Sequence, residues 1–414
     1  MDIKKEFEII KRNTEEIVPE EELIEKLKKS RERKRPLKIK WGADPTSPDI
    51  HLGHTVVLKK LQEFQRLGHE ILFLIGDFTA RIGDPSGRDS ARPPLSPEKI
   101  EKNARTYAQQ VFKILDEEKT TVVYNSRWLK GMNLEDFMRL LSLHSVSRTL
   151  ERNEFRERIK KGRDIRMLEF IYPLLQGYDS VVLEADVEIG ASEQKFNLLM
   201  GRILQKRYGQ EPQIVITMPV LEGLDGKQKM SKSLGNYVGI SESPDEIYGK
   251  LMSIPDELIV RYFSLLTTLE DEEVKKIETS LREGRVNPKI LKENLALRIV
   301  EEFYDEKDAE EAKRRFDAKH TPKKSLQERL VHLKPEKRRV STSQLKNGKI
   351  WICRLLTTIG ATSSNSEARR LLQQGAVHIE EEKITDSNIE LALSKDTKTL
   401  VRVGKRKYYE VTVE

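Results

Sequence analysis

The sequence predicts an α/β protein built on a doubly wound, mainly parallel sheet of Rossmann type, continued by an all-α segment and a small α+β module. Three observations carry this prediction. Strand and helix patterns alternate through the first 240 residues, strand patterns vanish between about 243 and 319, and both return after 350. A chain of 414 residues is also longer than one core fills, so several domains are expected. The patterns divide it into 1–240 (with an N-terminal helical extension), 241–320, a basic linker at 321–349, and 350–414.

Residues 37–41 alternate and run into Gly42, as a strand entering a glycine turn does. Over 53–67, Val57, Leu61 and Phe64 recur on one helical face, and Gly68 is placed to end the helix. The run 71–75 is apolar throughout and closes at Gly76, the pattern of a strand buried on both faces. Residues 121–124 and 214–217 repeat it, and strand–helix–strand at this spacing implies right-handed crossovers. Further on, 245–252, 256–266, 270–282 and 290–303 read as amphipathic helices. In the last module Leu355, Leu356 and Ile359 lead a helix to Gly360. Ser364, with Glu367 three residues on, caps a second helix that Gly375 stops. Val377 and Ile379, then Tyr409, Val411 and Val413, alternate as strands.

Composition excludes several classes. With 37% hydrophobic and 35% charged residues the surface is heavily charged, and no run of eighteen apolar residues offers a membrane-spanning helix. The first seven residues alternate in charge and lack a secretory apolar stretch. A single cysteine, Cys353, excludes an intrachain disulfide and a cysteine zinc cluster, so a cytoplasmic location without a membrane partner is expected. The net charge of +7 says little, because 75 basic residues face 68 acidic ones. Locally the balance is uneven: 319–349 holds ten Lys or Arg against Glu328 and Glu336. That stretch is either a solvated linker or a phosphate-contacting strip.

Two short strings carry chemistry. His51-Leu52-Gly53-His54 follows the first strand, where a helix start offers free N–H groups to phosphates. Histidines three apart share one side of that start and can donate to phosphate oxygens, while Gly53 leaves room for an adenine ring against backbone. Alone, these four residues also fit a surface pair of histidines. Lys229-Met230-Ser231-Lys232-Ser233 follows a hinge-like glycine loop at 223–226. Two lysines three apart on a mobile loop can close over a triphosphate and release with pyrophosphate. Together the strings predict activation of a carboxylate by ATP, in which positioned donors and cations, rather than a covalent nucleophile, stabilise the charge on the α-phosphate. No carboxylate pair has metal spacing, so Mg2+ would ride mainly on the nucleotide and no protein-bound metal is expected.

With Asp44-Pro45-Thr46, the run Gly83-Asp84-Pro85-Ser86-Gly87 and the run Tyr172-Pro173-Leu174-Leu175-Gln176-Gly177-Tyr178-Asp179, the chain resembles bacterial tyrosyl-tRNA synthetases, a class I aminoacyl-tRNA synthetase family, along essentially its whole length. The resemblance implies a tyrosine–tRNA ligase that forms tyrosyl-adenylate and transfers it to the 3′ end of tyrosine tRNA. It implies His51, His54, Lys229 and Lys232 as catalytic, and Gly53, Glu193, Gln194, Met230, Ser231 and Lys232 as ATP-binding. Lys40, Asp44, Asp84, Tyr172, Gln176 and Asp179 would bind tyrosine, with Asp84, Tyr172 and Gln176 on its ammonium and Asp179 on its phenol. Spacing agrees, since Tyr172, Gln176 and Asp179 share one helical face. A buried Asp179 unpaired in the free protein would reject phenylalanine by roughly four to five decades.

The chain departs from the family pattern in two places. Gly190-Ala191-Ser192-Glu193-Gln194 stands where the family has Gly-Gly-Thr/Ser-Asp-Gln, which shifts the ribose-binding carboxylate and adds a methyl against the nucleotide; weaker ATP binding is expected. Lys40 and Ala43 stand where one branch has tyrosine and phenylalanine, a trait compatible with the other bacterial branch. The segment 352–386 resembles the RNA-binding module named after ribosomal protein S-four, through Leu355-Leu356, Gly360, Ser366-Glu367-Ala368-Arg369-Arg370 and Gly375-Ala376-Val377. That likeness implies an S-four-like domain in which Arg369, Arg370, Lys405, Arg406 and Lys407 face RNA, a helical domain on the anticodon side, and a homodimer bridged by tRNA. Two alternatives stay open: a paralogue adenylating another amino acid, motivated by Glu193 and Ala191, and a non-catalytic clamp for structured RNA.

Overall fold

Five parallel strands and one antiparallel edge strand form the larger sheet, in the order β1–β6–β5–β2–β3–β4. The strands are β1 (Glu16–Val18), β2 (Lys38–Ala43), β3 (Glu70–Ile75), β4 (Thr120–Tyr124), β5 (Val187–Ala191) and β6 (Ile214–Met218). The protein is described by a computed structural model covering residues 2–86, 95–320, 335–380, 382–394, 398–404 and 407–414. It divides into two units, Met1–Ala309 and Glu310–Glu414.

In the first unit, α1 (Ile3–Lys11) and α2 (Glu20–Glu32) flank β1, α3 (Leu52–Arg66) connects β2 to β3, and α4 (Pro97–Val111) leads to β4. Four short helices follow, α5 (Ser126–Leu129), α6 (Leu134–Ser142), α7 (Val146–Thr149) and α8 (Asn153–Lys160), then α9 (Met167–Leu183) before β5 and α10 (Lys195–Arg207) before β6. β3 is buried at every residue but Glu70, because helices cover both faces of a parallel sheet. Along β2 the alternation is visible in chemistry: Trp41 stacks on Phe73 with centroids 5.0 Å apart, while Lys40 points to the other face. The chain runs outward from β2 through β3 to β4, then returns to β5 on β2's other side. The strand order therefore reverses between β2 and β5, which opens a crevice beyond their C-terminal ends.

α9 and α10 pack closely because Gly177 has no side chain: a Cβ there would lie 3.0 Å from the Met200 backbone. Edge strand β1 was not foreseen, since three residues give no alternation to read.

The helical segment 241–309 belongs to the same unit as the sheet. It holds α11 (Pro244–Leu251), α12 (Ile259–Leu266), α13 (Asp271–Arg282) and α14 (Pro288–Phe303). Its ties to the sheet layer include the Lys59–Glu302 ion pair at 2.6 Å and Asn13 donating to the Ser264 carbonyl. α15 (Glu306–His320) spans the division between the units.

The second unit contains β7 (Glu336–Val340), β8 (Lys349–Trp351), α16 (Ile352–Thr358), α17 (Asn365–Gln373), β9 (Val377–Ile379), β10 (Glu382–Ile384), β11 (Glu390–Ala392), β12 (Lys398–Val403) and β13 (Lys407–Val413). The larger sheet runs β10–β9–β12–β13–β7, and β8 pairs with β11. Leu355, Leu356, Ala368, Leu372, Val377, Val401 and Val411 meet in its core. Here the stretch read as a linker needs correction. Residues 336–340 form a strand parallel to β13, and only Val340 of the five is buried. An edge strand of charged, exposed side chains carries no hydrophobic signal. Of that stretch, 321–334 lie outside the described residues.

Candidate active site

A cavity of about 280 Å³ occupies the crevice beyond β2 and β5, and both sequence strings open onto it. His51 is the N-cap of α3, so its position follows from where that helix begins. Its Nδ1 accepts from the Gly53 N–H at 3.2 Å, and His54 Nδ1 accepts from the His51 N–H at 3.2 Å. Both rings therefore carry their proton on Nε2. Burial holds them neutral: the His51 pKa is pushed down to about 2 and that of His54 to about 4, with Lys232 contributing in each case. Gly53 is needed beside His51, because a Cβ would stand 3.0 Å from its ring.

Lys229, Met230 and Ser231 also line the cavity, with Met230 close to Gly53. This string is braced by Asn236, whose Oδ1 accepts from the Ser231 N–H at 2.8 Å and whose Nδ2 donates to the Lys229 carbonyl at 3.1 Å. Both loop lysines are held by carboxylates. Lys229 pairs with Glu193 at 2.7 Å, and Lys232 pairs with Asp49, which leaves Lys232 off the cavity lining. Glu193, Gln194 and Ala191 reach the cavity from the end of β5.

At the deep end, α9 presents Tyr172, Gln176 and Asp179 to the cavity, all buried. Tyr172 donates to Asp44 Oδ2 at 3.0 Å, and Thr79 donates to Asp44 Oδ1 at 2.7 Å. Gly76 makes this possible, since a Cβ there would fall 2.1 Å from Asp44 Oδ1. Asp84 accepts from Gln194 Nε2 at 3.1 Å, from Asn197 Nδ2 at 3.1 Å and from the Ser86 N–H at 2.9 Å.

Two sequence expectations require correction here. Asp179 is not unpaired: Trp128 Nε1 donates to one oxygen at 2.8 Å and Asn125 Nδ2 to the other at 3.3 Å. Burial still dominates and pushes its pKa up to about 7, against the lowering by Lys40, Trp128 and Asn125. Lys40 does not line the cavity. Its ammonium is fully buried beneath it, paired with Glu188 at 2.9 Å and donating to Ser180 Oγ at 2.7 Å and to the Gln176 carbonyl at 3.0 Å.

In the second unit, Arg369 lies over the Trp351 ring at 5.3 Å and Arg370 is exposed on α17. The Glu367 carboxyl is held low by bonds from Ser363, with Arg370 and Lys407 also lowering it. Lys405 and Arg406, like Gly87, fall outside the described residues.

A family model described as class I tRNA synthetases (W and Y) matches residues 32–321, and one for a tyrosine–tRNA ligase SYY-like C-terminal domain matches 332–411. A tyrosine–tRNA ligase of Carboxydothermus hydrogenoformans is 51% identical over 413 residues, covering 100% of this chain and 99% of that one. One of Thermotoga maritima is 48% identical over 409 residues, covering 99% and 98%. The chain belongs to the tyrosine–tRNA ligases. The fold likeness reaches further: a tyrosyl-tRNA synthetase of Archaeoglobus fulgidus, crystallised with L-tyrosine, matches with a TM-score of 0.61 at 24% identity, covering 75% of this chain and 99% of that one.

Membership frames what sequence reading missed. Asn125, Trp128, Ser86, Asn197 and Glu188 hold the site residues in place, yet only Ser86 stands in a run the sequence singled out, and no role fell to it there. They gather only when α5, β5, α10 and the segments following β3 and β4 converge on the crevice. Asn197 sits three residues after Gln194, so a helical-face reading outward from Gln194 was the one signal available.

Proposed function

We propose that the cavity beyond β2 and β5 activates tyrosine with ATP, using the residues gathered there in distinct roles. The chain is a tyrosine–tRNA ligase, with ATP, tyrosine and tRNA as substrates. In the proposed arrangement the tyrosine ammonium lies against Asp84, Tyr172 and Gln176, and its phenol donates to Asp179. The tyrosine carboxylate then attacks the α-phosphorus and pyrophosphate leaves, while neutral His51 and His54 donate through Nε2 and Lys229 and Lys232 neutralise the leaving charge. The tRNA terminal hydroxyl next attacks the adenylate carbonyl and releases AMP.

The observation that carries this reading is the common cavity. It joins two neutral histidines and a lysine loop, fit for phosphates, to a carboxylate-rich floor fit for an ammonium and a phenol. Before ATP binds, Lys229 and Lys232 rest on Glu193 and Asp49, and the triphosphate would take over both cations. Releasing Glu193 in this exchange would free it for the ribose, so its extra methylene has a use on this loop. Magnesium is proposed to arrive on the nucleotide, and no step is assigned to it.

We further propose a domain order of catalytic, anticodon-side helical and S-four-like RNA-binding segments, a cytoplasmic location and a homodimer. Exposed Leu134, Met138, Val146, Ile159 and Met167 supply apolar surface for the dimer. Among the described residues no helix is long and apolar enough to cross a membrane.

The test is amino-acid-dependent ATP–pyrophosphate exchange with all twenty standard amino acids. Exchange with tyrosine alone supports the site; exchange with another amino acid would put a paralogue's substrate in its place. Lys232→Ala should lower exchange by at least about a hundredfold. A Lys232→Ala protein with full exchange would remove the loop from the chemistry.

A further inference from the structure

Arg152 lies between α7 and α8 with its side chain 1% exposed, and none of the roles assigned to the cavity involves it. Its guanidinium is held between two aromatic rings, 5.2 Å from the centroid of Phe155 and 4.8 Å from that of Phe196. The nearest carboxylate with which it pairs, Glu154, is 3.7 Å away. A buried cation fixed this firmly needs strong acceptors. One terminal nitrogen donates to Asn197 Oδ1 at 3.0 Å and the other to Ser86 Oγ at 3.0 Å.

Ser86 lines the cavity, and Asn197, fully buried, bonds to residues that do. Asn197 Nδ2 donates to Asp84 Oδ1 at 3.1 Å, to Gln176 Oε1 at 3.0 Å and to Ser86 Oγ at 3.2 Å, and the Ser86 N–H donates to Asp84 Oδ1. A carboxamide has an acceptor at one end and donors at the other. With Arg152 pinning Oδ1, the donor end of Asn197 is the end that faces Asp84 and Gln176. Reversed, the amide would set its oxygen against an Asp84 carboxylate oxygen and the Gln176 oxygen, a repulsive contact in a buried site. Gln176 is held at its other end by donation to Glu188 Oε1 at 3.2 Å, so its oxygen is fixed from both sides.

We propose that Arg152 is a positioning residue for tyrosine activation, locking the Asn197 amide so that Asp84 and Gln176 present their oxygens to the substrate ammonium. This rests on the reading that those two residues hold the ammonium. The arginine never meets substrate. Its effect passes through one amide orientation, and its two aromatic neighbours keep it from swinging away. Arginine is required because two acceptors diverge from one planar group; lysine would satisfy them only as a point donor.

The test is binding to the full-length protein of two tyrosine analogues, each lacking one polar group. Tyramine keeps the ammonium and phenol; 3-(4-hydroxyphenyl)propionate keeps the phenol and carboxylate. Arg152→Gln should weaken tyramine and tyrosine by about tenfold or more while changing the desamino acid and the ATP KM by less than about twofold. Arg152→Lys should fall between wild type and Arg152→Gln, and carries the test alone if the glutamine variant does not fold. Equal weakening of both analogues, or undiminished tyramine binding, overturns the proposal. Asp84→Asn serves as the reference. If it also leaves tyramine binding intact, the ammonium reading itself falls, and this proposal with it. If Asp84→Asn discriminates between the analogues and the Arg152 variants do not, only the role of Arg152 falls.

Discussion

Asp179 illustrates how a single residue's burial sets its chemistry. Its folded pKa is raised, so the group favours the protonated form in the native state: its contribution to stability is full below pH 4 and is lost as pH rises through about 7. Ligand recognition has the opposite sign, because an ionised carboxylate accepts from a phenol beyond its bonds from Trp128 and Asn125, and the protonated acid has less capacity to do so. The preference for tyrosine over phenylalanine in kcat/KM is therefore expected to rise about tenfold between pH 6 and pH 8. A flat preference across that range would remove Asp179 from phenol recognition. The histidines add no step there, since burial keeps both neutral. Asp179 was legible in sequence as a site residue, whereas its two donors were not, because Trp128 and Asn125 lie more than fifty residues before it and reach it from the far end of β4.

Elements are tied together beneath the site by one buried ion pair. Lys40 from β2 and Glu188 from β5 meet with no exposure, and Glu188 also accepts from Ser180 and Gln176 of α9. The strand alternation predicted that Lys40 would oppose Trp41, and the structure adds that this face is covered by α9. Replacing Lys40 by Met would leave Glu188 buried and uncompensated, with an expected loss of about 3–5 kcal/mol in urea unfolding at pH 7. Tyrosine binding should weaken as well, since the pair holds the Gln176 segment. A Lys40→Met protein of wild-type stability would mean that water or a rearranged donor already satisfies Glu188. Among the elements given bounds from sequence, α3, β3 and β6 differ from them by a residue at most. β1 and β7 escaped, one too short and the other too charged to leave a periodic trace.

At the scale of the molecule, every residue lining the cavity belongs to the unit ending at Ala309, and the segment matching the SYY-like C-terminal domain belongs to the other. A chain ended after His320 keeps every residue that lines the cavity, so tyrosine-dependent pyrophosphate exchange should stay within about threefold of the full-length rate. Charging of tRNA should fall by at least about a hundredfold, and the salt dependence of tRNA binding should become shallower, because phosphate contacts are lost with the removed cations. Undiminished charging would take RNA binding away from residues 321–414. By itself the sequence determined the α/β class, the order of its segments, the two histidine and lysine strings and many of the polar residues that line the cavity. Those features are written in local periodicity and in short spacings that the backbone fixes directly. Only the tertiary structure decided that Lys40 lies beneath the cavity, that Asp179 already has partners, that the loop lysines rest on Glu193 and Asp49, and that Arg152 donates to the Asn197 amide that itself donates to Asp84 and Gln176. These depend on side chains brought together from strands and helices far apart in sequence, and burial, which sets their charge and pairing, exists only once those elements have packed.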